Sequence, residues 1–250
     1  MIRRPPRSTH CISSAASDVY KRQNLTTLKS ELRQFIKGDY VSIDLVNSQP
    51  FLLGILIDSI LKDSSTLCCL LSNESIVQTF GIKRIKKSLN CHQNKEKPNM
   101  VTLNNYLDAT KNGLLYDNFI KVFDGELKRK EVKDMFFKVL FSANGSAHQI
   151  PYKKEKIKFS NVYPLVGEIV KELKVNNHKT LPVYLQKLES YLFIDCIAKR
   201  LVDVGITPLT VHDSVIVKRE HQQKVLAIMK DVFINEVGVI PTFKTESLAN

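Results

Sequence analysis

Two short β-branched stretches stand far apart in this chain, and that separation limits the folds it can adopt. Val41–Val46 alternates along the chain in the way typical of a strand. Leu209–Val217 predicts two more strands around His212-Asp213, and Pro241–Ser247 predicts a last one. Long helical stretches lie between them. Few strands separated by long helices favour an α+β fold over a doubly wound sheet.

The helical stretches are bounded by residues that begin or end helices. Asn47-Ser48 offers an N-cap to a buried helix that includes Phe51–Leu61. Gly205 ends a long helix in the second half of the chain. The remaining predicted helices cover residues 126–142, 182–204 and 221–236.

The first 23 residues, MIRRPPRSTHCISSAASDVYKRQ, resemble a translated sequencing-library adapter. They have no hydrophobic period, and they lack the apolar core of about 7–15 residues that a signal peptide needs. We therefore expect a non-native segment over 1–23 and a genuine chain that begins at about Asn24, truncated at its N-terminus. The segment carries five Lys or Arg and one Asp, so removing it lowers the formal net charge of +12 by four. The remaining chain is still basic, which favours a polyanionic partner such as nucleic acid.

Cysteine use and hydropathy exclude several classes of protein. Outside the first 23 residues the cysteines are Cys68, Cys69, Cys91 and Cys196, and no Cys-x-x-Cys occurs. This pattern argues against a zinc ribbon or a disulfide framework, and it favours a reducing, cytoplasmic compartment. The longest apolar run, Phe51–Ile57, is too short to cross a bilayer, so we expect no membrane partner.

Two aspartates stand in unusually apolar surroundings. Asp44 ends the first strand, and Asp213 lies at the tip of the predicted hairpin. A carboxylate among Val and Ile side chains is costly to bury unless something pairs with it. Two such carboxylates on neighbouring strands would repel each other unless divalent cations bridged them, which is the layout of a two-metal site for phosphoryl transfer. The alternative is that each aspartate only marks a turn.

A third feature lies on the predicted helix 126–142. Arg129, Lys133, Phe137 and Phe141 recur every four residues, so each lies about 40° round the helix from the last. The two cations could grip a triphosphate, and the two aromatic rings could pack against a sugar or a base. The alternative is a solvated basic first turn followed by an aromatic end in the core.

In chain order, these three features resemble motifs A, B and C of the family A polymerases. The motifs are SIDLVNSQ at 42–49, RKEVKDMFFKVLF at 129–141 and VHDS at 211–214. This family includes the bacterial repair polymerase type and the single-subunit phage RNA polymerases. The resemblance covers about residues 40–248 and implies a palm, whose antiparallel sheet carries both aspartates, with a helical fingers region.

The resemblance also implies roles for individual residues. Asp44 and Asp213 would carry two Mg²⁺ ions, and the main-chain carbonyl of Leu45 would complete a coordination shell. Arg129 and Lys133 would neutralise phosphate charge as pyrophosphate leaves.

Other matched positions would contact the nucleotide or the nucleic acid. Phe137 would pack against the incoming nucleotide, and Phe141 would lie on the template side. His212 would hold the primer end, and Gln186 would reach the duplex minor groove. Gln49 occupies the position at which DNA-synthesising members of the family carry a Glu that excludes the ribose 2′-hydroxyl.

The chain departs from the family pattern at three places. Gln49 replaces that Glu, and Phe141-Ser142 replaces a Tyr-Gly pair. Ser214 follows the motif C aspartate, where DNA polymerases of the family often have Glu and the phage-type RNA polymerases have Ser. These changes leave the choice between deoxy- and ribonucleotides open, and they remove neither metal ligand.

Between motifs A and B the chain is long and basic. We interpret this segment as a fingers insertion that contacts nucleic-acid backbone, with a solvated arm as the alternative. Its candidate contact residues are Lys83, Arg84, Lys86 and Lys87. The expected units are a palm strand and following helix over 24–80, a fingers-like region over 81–180 and a palm region with motif C over 181–250.

The leading hypothesis is a monomeric fragment of a template-dependent DNA polymerase from a phage or mobile element. Its partners would be primer–template nucleic acid and nucleoside triphosphates, and its cofactor would be a pair of Mg²⁺ ions. A single-subunit RNA polymerase is the closest alternative. A catalytically inactive nucleic-acid-binding palm and a basic helical scaffold without a site are two further alternatives.

Overall fold

The computed structural model describes residues 38–62, 97–145 and 149–248, together with the isolated positions 32 and 35. Several predictions fall on other parts of the chain. The adapter-like segment 1–23 lies outside the described residues, as do three of the cysteines and the four candidate cations of the basic segment, Lys83, Arg84, Lys86 and Lys87.

The described residues contain a four-stranded antiparallel sheet. Its strands are β1 (Tyr40–Leu45), β2 (Leu209–Val211), β3 (Ser214–Lys218) and β4 (Phe243–Ser247). Their order across the sheet is β2-β3-β1-β4, and every neighbouring pair is antiparallel. The predicted α+β class with an antiparallel sheet is therefore confirmed.

The two faces of β1 differ because successive side chains of a strand point to opposite sides. Val41, Ile43 and Leu45 are buried in the hydrophobic core. Ser42 and Asp44 alternate with them, and Asp44 lies opposite Ser214 of β3. The strand pattern thus sends its apolar residues to the core and its aspartate to the opposite face.

Helices make up most of the rest. The α-helices are α1 (Ser48–Lys62), α2 (Lys97–Lys111), α3 (Leu115–Val122), α4 (Arg129–Phe141), α5 (Lys153–Val162), α6 (Pro164–Leu173), α7 (Thr180–Ser190), α8 (Lys199–Asp203) and α9 (Gln222–Val237). A π-helical segment, Tyr191–Ala198, joins α7 to α8. A 3₁₀ turn, Arg219–His221, precedes α9. The four predicted helices are present, whereas α2, α3, α5 and α6 were not predicted.

The start of α1 differs from the sequence prediction in one detail. The main-chain carbonyl of Asn47 accepts a hydrogen bond from the amide of Phe51 at 2.8 Å. Both polar atoms of the Asn47 side chain are buried without a hydrogen-bond partner, so this side chain does not cap the helix. Asn47 has a φ of 56°, and Asn tolerates this left-handed region better than most residues. The chain can therefore turn from β1 into α1 within two residues.

Helix α7 contacts two helices that are far apart in the sequence. It packs against α1 beside the sheet and against α4. An aromatic cluster lies under α4, where the ring of Phe136 contacts those of Tyr116, Phe119 and Phe159 at centroid distances of 5.1–5.4 Å. The buried apolar residues form one continuous core from β1 to α9. The predicted division at 24–80, 81–180 and 181–250 stays a prediction.

The C-terminal end of α4 is held by a buried lysine. Lys174 is 3% exposed, and its Nζ donates to the carbonyls of Val139 at 2.6 Å and Ser142 at 3.0 Å. The last carbonyls of a helix have no partner within the helix, and a lysine beside them stabilises that end. Burial lowers the pKa of Lys174 to about 8, with a smaller contribution from Lys156.

No helix in the described part of the chain has both the length and the apolar composition that crossing a bilayer requires.

Candidate active site

The pairing of β1 with β3 brings the two predicted catalytic aspartates to neighbouring strand ends. Asp44 lies opposite Ser214, the residue that follows Asp213. The amide of Leu45 donates to the carbonyl of Asp213 at 3.0 Å. This main-chain hydrogen bond ties the residue after Asp44 to Asp213 itself, so strand pairing fixes both positions.

Asp213 lies in a hairpin loop of two residues between β2 and β3. The other loop residue, His212, is exposed and has a φ of 52°. Tight hairpins require positive φ in the loop, and His is one of the side chains enriched at such positions. The loop therefore turns His212 outward and keeps Asp213 half-buried at the end of the sheet.

The surroundings of Asp213 disfavour its negative charge. Burial raises the pKa of its carboxyl, and the negative charge of Asp44 raises it further. Lys133 and His212 act in the opposite direction, which places both close enough to influence this carboxyl. A positive charge between the two aspartates would relieve their repulsion and compensate for the lost hydration.

Asp44 is oriented by a serine that the sequence analysis did not identify. Ser42 is 5% exposed, and its Oγ donates to Oδ1 of Asp44 at 2.7 Å. The two residues are separated by two positions, so they share one face of β1. This spacing is a usable sequence signal, because a polar residue at i−2 on a buried strand can orient the carboxylate that follows.

The donor set suits Mg²⁺, which prefers hard oxygen ligands and keeps several waters or substrate phosphates. Asp44 and Asp213 supply carboxylate oxygens, and the predicted Leu45 carbonyl lies in the same strand end. In the described ranges, no group of three or more His, Cys, Asp or Glu side chains is placed to hold a metal ion. A cation here would therefore rest on two carboxylates completed by main-chain, water or substrate oxygens.

The first three residues of the predicted stripe lie away from the buried face of α4, whereas Phe141 is partly buried against the core. The ammonium of Lys133 is 5.9 Å from the ring centroid of Phe137, and the rings of Phe137 and Phe141 are 5.2 Å apart. Arg129 at the helix start stacks over Tyr116 at 5.5 Å and forms an ion pair with Asp117. The buried residues of α4 are Val132, Met135, Phe136, Val139 and Leu140.

The alternative for this helix placed its stripe aromatics in the core. Phe136, 1% exposed, takes that place, and Phe141 is partly buried against the core, whereas Phe137 is half-buried outside it. Two neighbouring phenylalanines thus have different environments. Phe136 packs in the core and stabilises the helix. Phe137 lies between Lys133 and Phe141 on the accessible side.

Electrostatic effects connect α4 with the strand ends. Lys133 influences the carboxyl of Asp213. Burial raises the pKa of Tyr116 to about 12, while Arg129 lowers it and Asp213 raises it. Tyr116 of α3 therefore lies within electrostatic reach of both Arg129 and Asp213. Of the two α4 cations, Lys133 is the one with a direct electrostatic effect on Asp213.

A third carboxylate, Glu189 of α7, also belongs to this site and was missed by the sequence analysis. Its Oε2 accepts hydrogen bonds from Gln49 Nε2 at 2.6 Å and from Ser48 Oγ at 3.1 Å. Burial raises the pKa of Glu189, and Asp213 adds to the effect. Glu189 thus joins α7 to the start of α1 beside the aspartate pair.

Two other predicted residues, Gln186 and Gln49, lie on α7 and α1. Gln186 is exposed on α7, one turn before Glu189. Gln49 is half-buried, and its Oε1 has no hydrogen-bond partner although the atom is buried.

Neither the protein-family models nor the curated protein sequences include a match to this chain.

Proposed function

We propose that this chain catalyses template-dependent nucleotidyl transfer by a two-metal mechanism, as a DNA polymerase palm and fingers of the family A type. The observation that supports it best is the placement of two aspartates at adjacent strand ends, within electrostatic reach of Lys133 on α4. A triphosphate bound to two Mg²⁺ ions needs both kinds of group on one site.

The carboxylates, cations and aromatic rings would have different roles. Asp44 and Asp213, with the carbonyl of Leu45, would hold the two Mg²⁺ ions. Bound Mg²⁺ supplies positive charge that activates the attacking hydroxyl and stabilises the leaving phosphate oxygens. Arg129 and Lys133 neutralise the charge that develops on the departing pyrophosphate. Phe137 and Phe141 offer flat apolar surfaces for the sugar and base.

Arg129 must change partners when it acts on a phosphate. Its guanidinium pairs with Asp117, and both side chains of that pair are about half exposed. Exposed ion pairs contribute little to stability, so a phosphate can replace the Asp117 carboxylate at low cost. The same guanidinium can then form a bidentate contact with phosphate oxygens.

RNA synthesis is the second candidate, and a specific observation favours it. The amide of Gln49 is held by Glu189, so the position that would bear a Glu in a DNA polymerase of this family presents a neutral amide. A nucleic-acid-binding palm without catalysis is a weaker candidate, because binding alone requires neither paired aspartates nor a cation stripe beside them.

Primer extension by the 250-residue chain tests the proposal. A labelled primer–template is incubated with Mg²⁺ and either dNTPs or rNTPs, using wild type, Asp213→Asn and Asp39→Asn. Asp39 is an exposed aspartate paired with Arg219 through its carboxylate, so Asp39→Asn is a matched control. We expect template-directed extension by wild type and Asp39→Asn, and none by Asp213→Asn. Failure of folded wild-type protein to incorporate either nucleotide would overturn the proposal.

A further inference from the structure

A cavity of about 180 Å³ opens where the C-terminal end of α4 meets helices α5 and α6. One water needs about 10–15 Å³, so this cavity has room for a ligand of several atoms. Three of its lining residues are lysines, namely Lys156 of α5, Lys171 in the last turn of α6, and Lys174, which directly follows α6. The proposed nucleotidyl transfer uses none of them.

Lys174 is the most deeply buried of these cations, with 3% of its surface exposed. A lysine ammonium has three N–H donors and no acceptor. The main-chain carbonyls of Val139 and Ser142 accept two of those hydrogen bonds. One N–H of a nearly inaccessible cation is therefore left for an occupant of the cavity that Lys174 lines.

Lys156 brings a second ammonium to the same place. It is half-buried, and its Nζ donates to the main-chain carbonyl of Ala143. Burial lowers the pKa of both lysines, and the charge of Lys156 lowers the pKa of Lys174 further, so the two ammonium groups repel each other. The hydrogen bonds that hold them go to main-chain carbonyls, which carry no net charge. A negative charge in the cavity would relieve the repulsion and compensate for the lost hydration.

The cavity also offers neutral donor chemistry. The side chain of Ser160 on α5 lines it, and Gly167 of α6 lies beside that hydroxyl. A Cβ at Gly167 would come within 2.5 Å of Ser160 Oγ, so the glycine leaves room for the hydroxyl. The potential donors thus come from two helices and from the residue that follows α6. Donors on different sides of one cavity suit a tetrahedral oxyanion, whose oxygens point in several directions, and lysine binds phosphate as a point charge.

The depth of the cavity restricts the size of the anion. A phosphate within a nucleic-acid strand carries a sugar on each side, and such a group cannot reach the ammonium of Lys174, which is 3% exposed. A free oxyanion can enter a cavity of about 180 Å³ without that hindrance.

We propose that the cavity between the end of α4, α5 and α6 is a binding site for a small tetrahedral oxyanion such as inorganic phosphate, held by Lys156 and Lys174. This inference goes beyond the proposed function and does not depend on it. The occupied site would join the end of α4 to α5 and α6 through the anion. Because the anion binds the folded chain, it should also raise the Tm.

The test is a titration of the 250-residue chain with inorganic phosphate in a phosphate-free buffer, with sodium chloride added to keep the ionic strength constant. Phosphorus NMR line widths give the Kd, and thermal unfolding shows whether each variant is folded. We expect wild type to bind phosphate with a Kd in the millimolar range or tighter, and its Tm to rise with phosphate relative to chloride.

Two variants remove one cation each at nearly constant side-chain length. Lys174→Met and Lys156→Met should each raise the Kd by at least about 10-fold, as expected for the loss of a charge-assisted hydrogen bond. Lys156 is only half-buried, so Lys156→Met tests the proposal even if Lys174→Met fails to fold. Lys153→Met, at an exposed position on the same helix α5, is the matched control and should keep the wild-type Kd.

A further variant separates this site from the proposed reaction centre. Lys133→Ala removes a cation assigned to the triphosphate, so it should leave the Kd for phosphate unchanged. Loss of binding in Lys133→Ala but not in Lys156→Met would place the anion at the reaction centre and overturn the inference.

Three other results would also overturn it. No phosphate binding by folded wild type would show that the cavity holds water alone. An equal rise of Kd in Lys153→Met and Lys156→Met would mean that phosphate responds only to overall charge. Displacement of phosphate by a single-stranded oligonucleotide, lost in Lys156→Met, would assign the lysines to nucleic acid instead of a small anion.

Discussion

The fold holds the carboxylates at the strand ends and the cations on α4 in different ways. Asp44 lies within a strand paired on both sides and accepts a hydrogen bond from Ser42. Asp213 is tied through its carbonyl to Leu45. Arg129 and Lys133 are exposed side chains on a helix surface. The carboxylates are therefore preorganised, whereas the cations can move.

This difference suits the proposed reaction. Metal ligands must be in place before the substrate arrives, and holding them together raises the pKa of Asp213 through burial and through Asp44. Phosphate groups shift position as pyrophosphate leaves, and flexible cations can follow them. We therefore expect the two aspartates to act as one unit in catalysis and the two cations of α4 to act separately.

The largest effect is expected when either aspartate of the pair is replaced. Asp44→Asn and Asp213→Asn should each lower the incorporation rate by at least about 10³-fold, because either loss disables the metal pair. The double variant should be hardly slower than the worse single one, since groups that act as a unit are not additive. Single-turnover incorporation measures all three. Additive losses from the two variants would show that the aspartates act independently.

The next effect contrasts adjacent phenylalanines on α4. Phe136→Ala should lower the free energy of unfolding by about 3–5 kcal/mol, because it opens a cavity in the aromatic cluster. Phe137→Ala should cost less than about 1 kcal/mol, since its ring is half exposed, and should instead weaken nucleotide binding. Urea unfolding and nucleotide titration distinguish the two. Equal losses of unfolding free energy in the two variants would mean that Phe137 is part of the core.

A smaller effect tests the mobile cations. Arg129→Ala and Lys133→Ala should each reduce kcat/KM by about 10- to 100-fold, the value of a charge-assisted contact to phosphate. The double variant should lose clearly more than either single variant, unlike the double variant of the aspartates. Lys130→Ala, an exposed cation on the same helix outside the stripe, is the control. A loss in Lys130→Ala as large as in Lys133→Ala would mean that only overall charge matters.

The smallest effect concerns the end of α4 that carries the stripe. The folded pKa of Lys174 is about 8, below the ordinary 10.5. Below pH 8 both states are protonated, and the folded chain bears the cost of a buried charge. Between pH 8 and pH 10.5 Lys174 keeps its proton only in the unfolded chain, so its contribution to stability rises with pH.

Urea unfolding of wild type and Lys174→Met at about pH 7 and pH 9.5 measures this contribution. The difference in unfolding free energy should move in favour of wild type at the higher pH by about 1 kcal/mol or more. The same difference at both pH values would mean that Lys174 titrates normally in the folded chain.

The strands and the stripe could be predicted because local patterns encode them. Alternation along Val41–Val46 marks β1, and the four-residue spacing from Arg129 marks the outer face of α4. The apolar neighbours of Asp44 and Asp213 in the sequence single out both aspartates.

Glu189 could not be found in the same way. It hydrogen-bonds Gln49 across 140 residues of sequence, and its own helix gives no pattern that singles it out. Helix α5 was missed because it is rich in lysine and buries only Phe159, so it has no apolar stripe. The π-helical segment Tyr191–Ala198 has apolar residues in an ordinary helical pattern, and its wider turns are set by packing.

The central claim is that Asp44 and Asp213 hold divalent cations for a triphosphate, and Mn²⁺ binding tests it most directly. Electron paramagnetic resonance would count bound Mn²⁺ in the complete chain with a non-hydrolysable nucleoside triphosphate. We predict that wild type and Asp39→Asn bind Mn²⁺, and that Asp44→Asn and Asp213→Asn lose this binding. The signal of Mn²⁺ bound to the nucleotide alone should stay the same. Equal Mn²⁺ binding by all four proteins would contradict the account.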